Sequence, residues 1–237
     1  MRAARSALIS VAALLTIHAA PASSIYPVGR LFFPALTRAG AQTGAVALTF
    51  DDGPDIGLDS FLDVLEVAGA HATFFVVGEQ IERAPSRLRE IVYRGHEVGV
   101  HCYRHRNHLR LTPGQTVEDM RRARAVIEEA AERPVHLFRP PYGIFNMASW
   151  LEASRQRWKR VLWSRWGRDW AAGATPRSVV EELGLPQAGD VLLLHDSDRY
   201  AAPGSWRATR EALPTVMWRI LNLGLQVRPV GELLSAC

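Results

Sequence analysis

From residue 45 onward, short apolar runs alternate with longer stretches in which apolar residues return every three to four positions. Residues 45–50, 72–77, 97–101, 136–139, 160–163 and 190–194 read as strands, with 225–230 as a last one. The run at 190–194 is nearly pure Val and Leu, which suits a strand covered on both faces of a parallel sheet. Residues 58–68, 85–93, 116–131, 175–183 and 206–223 read as helices, the first with Phe61, Leu62, Leu65 and Val67 near one side. Pro85 and Pro176 stand where a first helical turn tolerates proline. Thr116 is expected to cap the third helix, with Glu118 in its first turn. Repeated strand-then-helix units predict the α/β class, as a barrel or a doubly wound sheet in one domain over 45–237. No internal repeat or low-complexity tract interrupts it.

The start of the chain follows another pattern. Arg2 and Arg5 precede an apolar run at 7–17, and small residues follow at Ala20-Pro21-Ala22. A positive start, a short apolar stretch and a small-residue site are the layout of a secretory signal. The run is shorter than the ~20 apolar residues that span a bilayer. Residues 1–22 are therefore expected to be a signal peptide or an N-terminal anchor, and 23–44 a linker or loose extension. Either reading places the protein outside the cytoplasm, secreted or held at the outer face of the membrane through the N-terminal segment.

Composition adds constraints. Of 237 residues, 48% are hydrophobic and 22% charged, an ordinary globular balance. The 28 basic and 24 acidic side chains leave a net charge of +4, too small and scattered to argue for nucleic acid. A monomer is expected. Two cysteines, Cys102 and Cys237, are too few for a disulfide framework. Arg104, Arg106, Asn107, His108 and Arg110 crowd one loop, read as a solvated charged loop with anionic glycans or phosphate headgroups as its functional alternative.

The chemistry collects at strand ends. Asp51 and Asp52 follow the first strand, His101 ends the third with His105 just beyond, Arg139 ends the fourth, Asp169 follows the fifth, and His195 ends the sixth. In α/β barrels these ends share the catalytic face. One carboxylate and two imidazoles, Asp52, His101 and His105, form a ligand set for zinc or a similar divalent ion with positions left for water. Successive side chains of a strand diverge, so one of Asp51 and Asp52 can ligate while the other faces a water whose pKa the metal lowers.

Thr49-Phe50-Asp51-Asp52-Gly53-Pro54 resembles the first motif of the polysaccharide deacetylases of the NodB-homology, carbohydrate esterase family 4 type. His101-Cys102-Tyr103-Arg104-His105 is similar to the second, Arg139-Pro140-Pro141-Tyr142-Gly143 to the third, Asp169-Trp170 to the core of the fourth, and Leu193-Leu194-His195 to the fifth. The motifs come in family order across residues 45–231. The resemblance implies an irregular (β/α) barrel of about seven parallel strands. It implies a metal on Asp52, His101 and His105, Zn2+ first, with Co2+, Ni2+ or Mn2+ as alternatives. Asp51 would be the general base, oriented by Arg139, and the Tyr142 N–H would stabilise the oxyanion. His195 would be the general acid, tuned by Asp169, and Trp170 and Leu193 would wall the acyl pocket. The implied reaction removes N-acetyl groups from an N-acetylhexosamine glycan, peptidoglycan or chitin-like, by attack of a metal-bound water. The rivals are a deacylase of a lipid-linked or small sugar, an O-acetyl-polysaccharide esterase, and a non-catalytic carbohydrate-binding domain. Two positions depart from the family pattern: Cys102 stands where Ser or Thr is usual, and Trp166 where the fourth motif often begins with Asp.

Overall fold

The computed structural model describes residues 2–235, with the side chains of residue 10 and of 12–235. Cys237, and the side chains of Arg2 and Arg5 that open the expected signal, lie outside this description.

Eight strands form one parallel sheet: β1 (Ala45–Asp51), β2 (Thr73–Val76), β3 (Glu97–Val100), β4 (Leu137–Phe138), β5 (Lys159–Arg160), β6 (Arg165–Trp166), β7 (Val191–His195) and β8 (Gln226–Val227). Their order is β5-β4-β3-β2-β1-β7-β6, with β8 also pairing with β1. Nine helices are described: α1 (Arg2–Ala19), α2 (Leu58–Val67), α3 (Gly78–Arg83), α4 (Pro85–Tyr93), α5 (Pro113–Ala131), α6 (Met147–Arg155), α7 (Pro176–Leu183), α8 (Ser205–Asn222) and α9 (Val230–Ser235). The architecture is the irregular (β/α) barrel expected.

Side chains of a strand point alternately to its two faces, and β1 shows what this does here. Val46, Leu48 and Phe50 join the large core between sheet and helices, where Phe50 stacks on Phe74 at 5.0 Å. Ala45 and Ala47 point to the other face, into a smaller core with Phe75, Leu137, Val161 and Val191. Small residues fill that narrow interior, and Thr49 and Asp51 follow them in the same alternation. A strand that is apolar at its start therefore delivers a hydroxyl and a carboxylate inside the barrel at its end.

Several boundaries differ from expectation. Helix α5 begins at Pro113, and its cap is Thr112, whose hydroxyl accepts from Gln115 N while the Gln115 side chain accepts from Thr112 N. Proline needs no N–H in a first turn, so the helix starts earlier than the apolar periodicity suggests. Thr116 lies buried inside it and accepts a bond from Asn146 Nδ2 at 2.9 Å. Of the strand expected at 160–163 only its start is laddered with β4, and a separate strand, β6, pairs with β7. The intervening backbone also pairs with the chain before the barrel: Leu36 N–H donates to Arg160 O at 2.8 Å, and Leu162 N–H to Leu36 O at 2.6 Å. Ala39 N–H donates to Gly189 O at 2.9 Å, and Arg38 pairs with Asp190 at 2.9 Å. The last strand is only Gln226–Val227, because Val230 already begins α9. Helices α3 and α6 lie outside the expected set; α3, at six residues, is too short for periodicity to reveal. Among the described residues no helix is long and apolar enough to cross a membrane.

Candidate active site

Six strand ends meet at one rim. A cavity of about 210 Å³ opens there, lined by Asp51, Asp52, His101, His105, Tyr142, Gly143, Trp163, Trp166, Trp170, Leu193, His195 and Tyr200. Of the expected site residues, Asp51, Asp52, His101, His105, Tyr142, Trp170, Leu193 and His195 line it. Arg139 and Asp169 sit behind the lining, each bonded to a residue that forms it.

Asp51 and Asp52 divide as alternation requires. Asp51 ends β1 and its Oδ1 accepts from Arg139 Nη1 at 2.6 Å. Asp52 takes a left-handed backbone, φ 80°, which turns its carboxylate to the two imidazoles. Its Oδ1 lies 3.5 Å from His101 Nε2 and 3.3 Å from His105 Nε2. A non-glycine residue at positive φ is costly and persists where its surroundings hold it. Here Gly53 N–H donates to Asp196 Oδ1 at 3.0 Å, and Val77 N–H to Gly53 O at 3.0 Å. A side chain at position 53 would run into the Asp196 carboxylate.

The His101 tautomer follows from its second nitrogen. Nδ1 lies 2.7 Å from the Arg139 carbonyl oxygen, which can only accept, so Nδ1 carries the proton and Nε2 turns its lone pair to Asp52. Burial holds His105 down to about 4, so it is neutral at pH 7. Burial pushes Asp52 up, but the facing histidines, His101 first and then His195 and His105, outweigh this and hold it at about 2. Ligand atoms of Asp52, His101 and His105 lie within 4.8 Å of one another, and buried Asp52 Oδ1 and His105 Nδ1 have no hydrogen-bond partner. An anionic oxygen left unpaired beside two imidazole lone pairs is unfavourable alone and fits a divalent cation.

The loop carrying both histidines is built by residues that carried no sequence signal. Asp119 of α5, buried, accepts from Tyr103 N at 2.7 Å and pairs with Arg106 at 2.7 Å. Gly78 and Glu79 of α3 donate to the Cys102 and Tyr103 carbonyls. The loop is thus less basic than its sequence suggests: Arg106 is paired and His108 is buried, its ring stacked on Phe138 at 6.3 Å. Cys102 is also buried, with Sγ 3.1 Å from His108 Nε2, and burial pushes its thiol well above the usual range. It stays a protonated thiol outside the Asp52–His101–His105 cluster.

On the neighbouring strand β7, where His195 is the register partner of Asp51, His195 Nδ1 lies 2.9 Å from Asp169 Oδ1. Asp169 Oδ2 accepts from His195 N–H at 2.7 Å and from the Thr209 hydroxyl at 2.7 Å. Burial alone would lower His195, but the Asp169 charge and hydrogen bond, then Asp52 and Asp51, outweigh it and raise the imidazole to about 10. Trp170 meets the His195 ring edge-on at 5.4 Å, Trp166 meets Trp170 at 5.1 Å, and Trp163 stacks on Trp166 at 5.9 Å. Leu193 is buried beside them. On the facing side Tyr142 and Tyr200 contact the His105 ring at 4.6 and 4.5 Å. Tyr142 adopts φ 60°, and the turn's own bonds run from Gly143 to Pro140 and Ile144 to Pro141, leaving the Tyr142 N–H outside them. Tyr200, Asp196 and Thr209 were not anticipated, because each reaches the site only through folding of the segment after β7.

An α/β barrel thus brings three residues that could hold a metal ion and an Asp–His pair to one rim. The polysaccharide deacetylase family model matches residues 39–160. A peptidoglycan-N-acetylglucosamine deacetylase of Bacillus cereus is 32% identical over 194 residues, 80% of this chain and 87% of that one. A chitooligosaccharide deacetylase of Bradyrhizobium is 32% identical over 203 residues, 81% of this chain and 91% of that one. The structure of the Bc1960 peptidoglycan N-acetylglucosamine deacetylase in complex with 4-naphthalen-1-yl-N-oxidanyl-benzamide superimposes with a TM-score of 0.81 at 25% identity, covering 90% of this chain and 98% of that one. The chain belongs to the polysaccharide deacetylase family and is an enzyme of that deacetylase class.

Proposed function

We propose that this enzyme removes N-acetyl groups from N-acetylhexosamine residues of an extracytoplasmic glycan, peptidoglycan or chitin-like. The observation that carries the reading is that Asp51 and His195, register partners on neighbouring strands, line one cavity with the Asp52–His101–His105 cluster. Asp52, His101 and His105 would hold a divalent ion, zinc by the chemistry of two imidazoles and a carboxylate. Such an ion supplies Lewis-acid polarisation of the amide oxygen and lowers the pKa of bound water.

The protein's own groups supply the remainder. Asp51 accepts the proton of the attacking water, its carboxylate aimed by Arg139. The Tyr142 N–H donates to the oxygen that becomes negative in the transition state. His195, protonated at neutral pH, gives its proton to the leaving nitrogen, and Asp169 holds the ring in place and keeps it charged. Trp170 and Leu193 enclose the acyl methyl away from water. The products are acetate and an amino sugar. The export-type N-terminus and the cell-wall substrates named for the relatives support action outside the cytoplasm.

The test is acetate release by the full chain from peptidoglycan, chitin oligomers and acetylated xylan, before and after chelation. Release from the first two that chelation abolishes and zinc restores is the expected result. Release from xylan alone would replace the amide reading with an ester one. No release from any of them by metal-loaded protein would leave a lipid-linked sugar or a non-catalytic binder.

His195 acts as an acid only while protonated, so activity is expected to fall as pH rises through its folded-state value. Asp169→Asn removes the main influence that raises that value against burial. The alkaline limb of the kcat/KM profile should therefore move to lower pH in the variant. An unmoved limb would exclude His195 as the group that sets it.

A further inference from the structure

The segment just before the barrel exposes apolar side chains from a fixed scaffold. Among the described residues, Tyr26, Val28, Leu31 and Phe32 all face solvent, with Leu31 80% and Phe32 75% exposed. They do not belong to a loose tail. Pro21, Ser24 and Gly29 are buried within the same turns. A side chain at position 29 would run into the Ser23 backbone, so the turn closes only on glycine. Arg30 Nη1 donates to the carbonyls of Ser24 and Ile25 at 3.3 and 3.2 Å. Phe33 anchors the segment to α6, its ring edge-on to Trp150 at 5.3 Å.

Beside these prongs lies a groove of about 650 Å³ between residues 34–38 and 154–160. Its charged lining is Arg38, Arg157, Lys159 and Arg160; Arg38 is paired with Asp190 and Arg160 donates to the Trp150 carbonyl, so Arg157 and Lys159 are its exposed cations without a partner among the described residues. The chain preceding the barrel has the same sign: residues 1–50 contain Arg2, Arg5, Arg30 and Arg38 and no Asp or Glu. Exposed aromatic and aliphatic prongs next to a one-sign cationic groove match a bilayer with anionic headgroups, where apolar side chains enter the interface and cations meet phosphate.

We infer that the turn at residues 25–33, together with Arg157 and Lys159 of the adjoining groove, docks the folded domain on an anionic phospholipid surface. This surface is distinct from the apolar run of α1 and acts whether or not that run also inserts. It is separate from the cavity residues, so it stands or falls independently of the deacetylation reading.

The test is co-sedimentation of the full chain with vesicles of phosphatidylcholine alone and of phosphatidylcholine mixed with phosphatidylglycerol. Binding to the mixed vesicles is expected to be roughly tenfold or more tighter and to weaken with salt. Leu31→Ser with Phe32→Ser should reduce binding to both vesicle types, and Arg157→Glu with Lys159→Glu should remove the preference for phosphatidylglycerol. All four side chains are exposed, so circular dichroism should show the variants folded as the parent. Vesicle binding that is equal in parent and both variants would assign it to α1 and overturn the inference. So would retention by a soluble anionic polysaccharide that matches vesicle binding and ignores Leu31 and Phe32.

Discussion

Asp51→Asn is expected to lower kcat by roughly 10²–10⁴-fold, the range for loss of a positioned proton acceptor, while leaving bound zinc at the parental level. The amide keeps an oxygen for Arg139 to donate to and keeps the volume of the carboxylate. It cannot take a proton. Asp51 lies 3.8 Å from His101 Nε2 but is outside the Asp52–His101–His105 cluster, so the cation site should survive. The measurement is acetate release together with metal content on the same preparation. Parental turnover in the variant would sink the catalytic assignment of Asp51, and a parallel loss of zinc would make it a ligand instead. Asp52→Asn should behave in the opposite way, losing zinc first and activity as a consequence.

Arg139→Met should destabilise the fold by about 3–5 kcal/mol, the scale for removing one partner of a buried ion pair. Arg139 is 0% exposed, inside the barrel, with its guanidinium 4.1 Å from the Phe75 ring centroid. Nη1 donates to Thr49 Oγ1 at 2.8 Å as well as to Asp51, and Nη2 donates to Leu162 O at 2.9 Å. Methionine fills similar space but leaves the Asp51 charge unpaired and the carbonyl unsatisfied. For a chain of this size that corresponds to a melting temperature lower by roughly 6–20 °C. Adding Asp51→Asn to Arg139→Met removes the stranded charge and should recover part of the loss. A single variant that melts with the parent would show that water reaches Asp51 and that the pair is not buried in solution.

Both expectations rest on the same residues, which shows how the site couples to the fold. Arg139 orients the proposed base and also supplies the interior with donors for carbonyls of the irregular backbone after β5. That backbone stays on β4 through Val161 N–H, which donates to Phe138 O at 2.9 Å, while Leu36 pairs with it from the other side. The Val161 and Leu162 carbonyls accept from the Arg139 guanidinium.

The linear order of residues determined much of this protein. The alternation in Ala45–Asp51 already states that Val46, Leu48 and Phe50 face one layer while Thr49 and Asp51 face another. The apolar run of β7 marks a central parallel strand, and it pairs with β1 along its whole length. Asp51, Asp52, His101, His105, Arg139, Asp169 and His195 stand at strand ends, where parallel α/β topology must collect them. These features are local in cause: period two, strand direction and the place of polar residues in each run.

Tertiary structure alone decided the remainder. The cap of α5 is the exception, being local: Thr112 and Gln115 have capping-box spacing with Pro113 in the first turn, which the apolar periodicity does not show. The Asp119 bonds that shape the histidine loop join positions 16 residues apart in sequence, and Thr209 reaches Asp169 across 40. The split of the expected fifth strand depends on Leu36 arriving from before the barrel. Cys102 and Trp166 depart from the family pattern, yet the fold sends one into the core beside His108 and the other to the cavity wall. Hydrophobic period and strand direction act over a few residues and can be read along the chain. Partners of buried polar groups are chosen only when distant segments pack, because each such group must find a donor or acceptor wherever the fold happens to bring one.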